Sequence, residues 1–164
     1  MKKLLTIVFL LAAPVLLMAE TVMVSVGGLG LPADPGAGYK FCFSAIESGV
    51  MDSYFNAGHI IFNDDNFRSS EDFFRTVRLA RDGGAHKVLF VDCVYAAGAA
   101  KNKRTQDGME VSLPQKIVLS YVRASDSVIL RKAEIQISEK DAEKYSFIED
   151  YYALLGRKAA ASFL

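Results

Sequence analysis

The chain has 164 residues, 51% of them apolar, with 19 basic and 19 acidic side chains and no tryptophan. This is enough chain for one domain with a core of its own, and the even charge balance argues against a generally basic nucleic-acid surface. No low-complexity tract or long single-sign charge run marks a disordered segment.

The first residues, MKKLLTIVFLLAAPVLLMA, carry two lysines and an apolar run from Leu4 to Met18 broken only by Thr6 and Pro14, then the small Ala19. This is the tripartite layout of a secretory signal peptide. Residues 1–19 are therefore expected to be a leader cleaved near Ala19, and residues 20–164 a single exported, periplasmic domain. No cysteine follows the apolar run, so a lipid-anchored form of the leader is not supported. Removing Lys2 and Lys3 with the leader leaves 17 basic against 19 acidic residues.

Thr21 to Val26 alternates as a β-strand, and the glycine- and proline-rich stretch Gly27 to Gly38 reads as a loop, because Pro32 and Pro35 break regular structure. From Tyr39 to Ala57, Phe43, Ile46, Val50, Tyr54 and Ala57 recur every three or four residues, the spacing of one helical face, with Gly58 as the stop. His59 to Phe62 reads as a short buried strand. Ser69 and Ser70 ahead of Glu71 and Asp72 cap a second helix, whose stripe Phe73, Val77 and Ala80 runs to Gly83 and Gly84. HKVLFVDCVYAAG is continuously apolar, as in a central strand covered on both faces.

Gln115 to Arg123 and Val128 to Ile137 form a hairpin around Ala-Ser-Asp-Ser, with Ile129, Ala133, Ile135 and Ile137 on one face and Lys132, Glu134 and Gln136 on a wet one. Ser138 with Asp141 resembles a capping box, and Tyr145, Ile148, Tyr152, Leu155 and Ala159 make a long amphipathic helix. The expected order is β-α-β-α-β-β-β-α, a single α/β (α+β) domain with a mixed β-sheet and packed helices. Within it, YFNAGHIIFND and RDGGAHKVLFVD repeat one helix-to-strand connection, each with a histidine at the strand start.

Gly28, Gly30 and Ala33 satisfy the letters of the G-x-G-x-x-A dinucleotide fingerprint. That turn requires a helix opening at the glycines so that its free N–H groups meet the pyrophosphate, and here the prolines delay the helix. No nucleophile elbow, zinc-protease helix or C-x-x-C pair occurs, and His59 and His86 lack further ligands at metal spacing, so no catalytic residue, cofactor or metal site is assigned. Asp92 stands in the most apolar strand, where it is either a carboxyl with a raised pKa or a strand-end acid bonded to a loop. Cys42 and Cys93 are candidates for a disulfide if the first helix packs over the central strand, and otherwise two buried thiols. The connection Ala96 to Gln115 is long for a link between strands; its Lys101, Lys103 and Arg104 are the candidate contact to an acidic partner or anionic envelope component.

The leader, the strand HIIFN, the glycine-ended helix entering GGAHKVLFVD and the hairpin RASDSVIL together resemble the TolB amino-terminal domain and the related CsgG and LpoB group of bacterial envelope proteins. The resemblance implies a non-enzymatic role in envelope assembly, by binding envelope proteins or by self-association, with no catalytic residues to carry over. The charge balance argues against a nucleic-acid partner, and any membrane contact is expected to be peripheral. The alternative is a periplasmic small-molecule-binding protein that uses the Gly27 to Gly38 loop as one wall of a pocket.

Overall fold

The computed structural model describes residues 19–32, 35–64, 70–99 and 101–164, so the leader expectation lies outside the described residues apart from Ala19. Five strands form one mixed sheet in the order β2-β1-β3-β6-β7. These are β1 (Thr21–Leu29), β2 (Ile60–Asn63), β3 (Lys87–Val94), β6 (Lys116–Arg123) and β7 (Ile129–Gln136). β1 pairs parallel with β2 and β3, and the β3–β6 and β6–β7 pairs are antiparallel. The expected mixed α+β domain is the architecture found, with β3 in the middle of the sheet.

Two helices, α1 (Ala37–Asn56) and the C-terminal α4 (Ile148–Ala161), lie side by side over one face, and α2 (Phe73–Asp82) covers the other. The apolar run of β3 follows from this: Leu89, Val91 and Cys93 point into the α1 and α4 layer, Val88 and Phe90 into the smaller α2 layer, and all five are fully buried. In that smaller layer Phe73 stacks on Phe90 with ring centroids 5.4 Å apart. The stripe Phe43, Ile46, Val50 and Tyr54 of α1 is buried throughout, as its spacing requires. α1 ends where Gly58 takes φ +84° and the N–H of His59 reaches back to the carbonyl of Tyr54 at 3.0 Å. α2 ends the same way, with Gly84 at φ +82° and the N–H of Ala85 on the Ala80 carbonyl.

Five expectations need correction. β1 continues through Gly27 and Gly28 to Leu29, so the loop before α1 is shorter than Gly27 to Gly38. A side chain on Gly28 would meet the Phe43 ring at 2.9 Å, so the glycine is there to let α1 lie close on the strand. β2 is not buried: it is an edge strand, with Ile60 59% exposed.

On β7, consecutive pairs jump from Tyr121–Arg131 to Val122–Ile129, leaving Leu130 as the extra residue of a bulge. The bulge moves Ile129 off the face of Ala133 and Ile135 and puts Leu130 against the core in its place. Finally, the last helix is two. Ser138 caps a single turn, α3 (Glu139–Ala142), by accepting from the N–H of Asp141 at 3.2 Å, and α4 restarts at Ile148. The order also gains a short hairpin of β4 (Lys103–Arg104) and β5 (Glu110–Val111) between β3 and β6.

Candidate functional site

β1 leads into α1 on one face of the sheet, and α2, on the opposite face, leads into β3 beside it. The carboxyl ends of β1 and β3 therefore flank a topological switch point, the usual crevice for ligands in α/β sheets. A cleft of about 180 Å³ lies there, walled by Gly30, Leu31, Pro32 and Pro35 after β1, by Tyr95, Ala96 and Lys101 after β3, and by Tyr39 of α1. Gly30, at φ +85°, turns the chain directly against the Tyr95 carbonyl, where a side chain would stand 2.6 Å from the oxygen. α1 opens at Ala37, beyond Pro32 and Pro35, so the tight glycine-to-helix turn of the dinucleotide fingerprint is not formed.

The basic connection is folded down rather than extended. Ser112 is its anchor: its N–H donates to the Tyr39 hydroxyl at 3.1 Å, its carbonyl accepts from the Tyr152 hydroxyl at 3.3 Å, and its own hydroxyl donates to the Ala99 carbonyl at 2.9 Å. Tyr152 also shares a hydrogen bond with Tyr95 at 3.1 Å, so one buried tyrosine cluster joins α1, β3 and α4 to this connection. Val111 is fully buried beside them.

Of the three cations singled out, Lys101 lines the switch-point cleft. Lys103 and Arg104 line a second cleft of about 340 Å³ with Glu143, Tyr145 and Ser146. Arg104 is 3.5 Å from Glu110, whereas Lys101 and Lys103 have no ion-pair partner among the described residues.

The remaining sequence candidates become structural parts. Asp92 is buried and its Oδ1 accepts from the N–H of Ser70 at 2.8 Å, at the start of the 3₁₀ turn Ser70–Asp72 that leads into α2. Burial pushes its carboxyl pKa up, against the Ser70 hydrogen bonds that pull it down. Cys42 and Cys93 both lie in the main core as free thiols, and burial pushes the Cys42 thiol up to about 12.

His59 and His86 are each tied to the backbone where β1 begins. Each Nδ1 accepts from a backbone N–H at the start of β1, His59 from Glu20 at 3.2 Å and His86 from Thr21 at 3.1 Å, which leaves the ring proton on Nε2. Beside them, the strand starts border a cleft of about 510 Å³ lined by Glu20, Arg81, His86, Lys87 and Arg123. Its charges are largely paired: Lys87 bonds Glu20 at 3.0 Å and Arg123 bonds Asp126 at 2.8 Å.

Sequence reasoning missed the edge at β2. Glu47 of α1 accepts from the Asn63 side chain of β2 at 3.1 Å, and Met51 and Phe55 follow at the next two turns of that helix row. Phe55 is 75% exposed. On the other face a Cβ at Gly83 would touch the Phe62 ring at 3.3 Å, and Leu79, one turn earlier in α2, is 42% exposed. With Ile60 between them, the outer rim of β2 carries apolar side chains on both flanks and no charge in Ile60–Asn63. Phe74, at the start of α2, is a further exposed aromatic, at 79%.

Among the described residues no helix is long and apolar enough to cross a membrane. No family model matches the chain, and no curated protein matches it. Among solved structures, the chain is similar to the PelC dodecamer from Paraburkholderia phytofirmans at 15% identity and a TM-score of 0.45, over 85% of this chain and 83% of that one. It is similar to the lipoprotein GNA1162 from Neisseria meningitidis at 14% identity and a TM-score of 0.41, over 87% of this chain and 93% of that one. Likeness at this level carries no functional argument.

Proposed function

We propose that this chain is an exported bacterial envelope protein that works without catalysis, in the periplasm, by holding other envelope proteins or further copies of itself in an assembly. The observation that carries this reading is the exposure of Phe55, Ile60, Phe74 and Leu79 on three consecutive elements, α1, β2 and α2. Large apolar side chains gain by being covered, and Phe55, Ile60 and Leu79 along the β2 rim are the mark of a contact surface; Phe74, five residues before Leu79 and so about 140° around α2, is exposed on the helix's other flank. The leader-like first residues and the resemblance of HIIFN, GGAHKVLFVD and RASDSVIL to the TolB, CsgG and LpoB group point the same way. Lys101, Lys103 and Arg104 are proposed as a second contact, for an acidic protein surface.

The small-molecule reading has its position in its favour, since the Gly30 to Pro35 wall stands at the switch point. The cleft there is about 180 Å³, below the few hundred Å³ that small-molecule pockets occupy. Photo-crosslinkers at Phe74 and at Lys103 in intact cells, with mass spectrometry of the products, test the proposal. Envelope proteins or this chain itself are expected among the products from Phe74. Charge reversal at Lys101 and Arg104 is expected to abolish those from position 103. Absence of any crosslinked protein from both positions would refute the assembly role.

A further inference from the structure

We propose that the β2 edge pairs antiparallel with the β2 edge of a second copy of this chain, giving one continuous sheet across a two-fold axis beside Ile61. This rests on the assembly reading above and supplies its partner and contact. Among the described residues the backbone of β2 is bonded on one side only. The N–H of Ile60 donates to the Glu20 carbonyl at 3.0 Å, and Ile60 and Phe62 are in register with Thr21 and Met23. Backbone direction alternates along a strand, so Ile60 and Phe62 turn their groups toward β1 while Ile61 and Asn63 turn theirs outward.

The two edges of the sheet are treated differently. β7 is protected by the devices that keep strands from pairing with strangers: a bulge at Leu130, and Arg131, Lys132 and Glu134 along its length. β2, at four residues, has only its shortness. Ile60–Asn63 contains no charge, proline, glycine or bulge, and its flanks are the apolar Phe55 and Leu79.

The edge is also complementary to itself. A two-fold axis at Ile61 sets Ile61 opposite its own copy, the 59% exposed Ile60 opposite Phe62, and His59 opposite Asn63. No like charges meet. The His59 Nδ1 is held by the Glu20 N–H, so its Nε2–H is left to face the side-chain amide of Asn63 in the second copy. An isologous contact of this kind covers the same patch on both partners and closes, which fits a surface whose exposed apolar groups lie on one edge.

The register gives a direct test. Hydrogen-bonded antiparallel partners have Cα atoms about 5.5 Å apart, inside the roughly 4.4–6.8 Å span of a disulfide. Ile61→Cys is therefore expected to give a covalent dimer on mild oxidation, and Lys132→Cys on the β7 edge none; Cys42 and Cys93 are buried and stay silent. In sedimentation, the unmodified chain is expected to form a dimer that Ile60→Lys weakens by about tenfold or more, with the unfolding temperature unchanged at concentrations too low to dimerise, where Ile60 is largely in water.

Equal crosslinking from both edges would overturn the pairing, as would an unmodified chain that stays monomeric to about 100 μM. If a monomeric chain still crosslinks a different envelope protein from Phe74 in cells, the second-copy pairing falls and the assembly role stands.

Discussion

Gly49 of α1 and Gly156 of α4 are the test of how closely the two long helices meet. A Cβ built on Gly49 lies 2.1 Å from the Ala153 carbonyl oxygen, and one on Gly156 lies 2.2 Å from the Ile46 carbonyl oxygen. Each glycine thus receives the backbone of the other helix, and neither obstacle is a side chain that can swing away. Gly49→Ala sets two effects against each other. Helix propensity favours alanine by about 1 kcal/mol. Against it, the helices must part by about 1 Å across a packed core, and overpacking costs about 1–3 kcal/mol, at its upper end where backbone is the obstacle.

The clash wins, leaving a net loss of about 2 kcal/mol, or about 4–8 °C in Tm for a domain of this size. Thermal unfolding followed by circular dichroism measures it, with the exposed Ser48→Ala on α1 as a propensity control that gains a few tenths of a kcal/mol at most. The double variant Gly49→Ala with Gly156→Ala should lose less than the sum of the single losses, because one separation of the helices relieves both overlaps. A Gly49→Ala protein as stable as the parent, or more so, would show that α1 and α4 are not in backbone contact.

Tyr152→Phe removes the donor to the Ser112 carbonyl and the partner of the Tyr95 hydroxyl, and should cost about 1–2 kcal/mol. Hydrogen exchange is expected to rise across residues 101–112, and unchanged exchange there would mean the tyrosine cluster does not hold the hairpin. Asp92 supplies a pH signature. Its folded pKa is raised, so the buried acid is most comfortable protonated; its contribution to stability is full below about 3.8 and is lost as pH rises through the raised folded value. Asp92→Asn cannot ionise, so its stability relative to the parent should climb over that window and then level off; a flat difference refutes the burial argument. The thiols of Cys42 and Cys93 should resist labelling in the native protein and count as two in denaturant without reductant, whereas a count of zero would mean they are bridged.

The parts of this fold that the sequence displays are those in which one side chain answers to one layer. The stripe of α1, the two-sided apolar run of β3 and the glycine stops at Gly58 and Gly84 are of that kind, and each is where periodicity or a positive φ places it. The break before α4 escapes the same logic. Tyr145 and Ile148 both reach the main core, so a stripe drawn through them stays intact although the backbone between α3 and α4 is not helical.

β2 escapes for a different reason. A short apolar run looks alike in the middle of a sheet and at its rim, and only the crossover from β2 over β1 to β3 decides which it is. That crossover also decides the surface. By seating the third strand beside the first, it leaves Ile60–Asn63 with one partner, and the apolar residues that read as core in the sequence become the rim of an open sheet. The cations of the 101–104 segment were visible as charges, but their placement beside two clefts depends on Ser112 meeting three tyrosines from distant parts of the chain, a convergence no local spacing records.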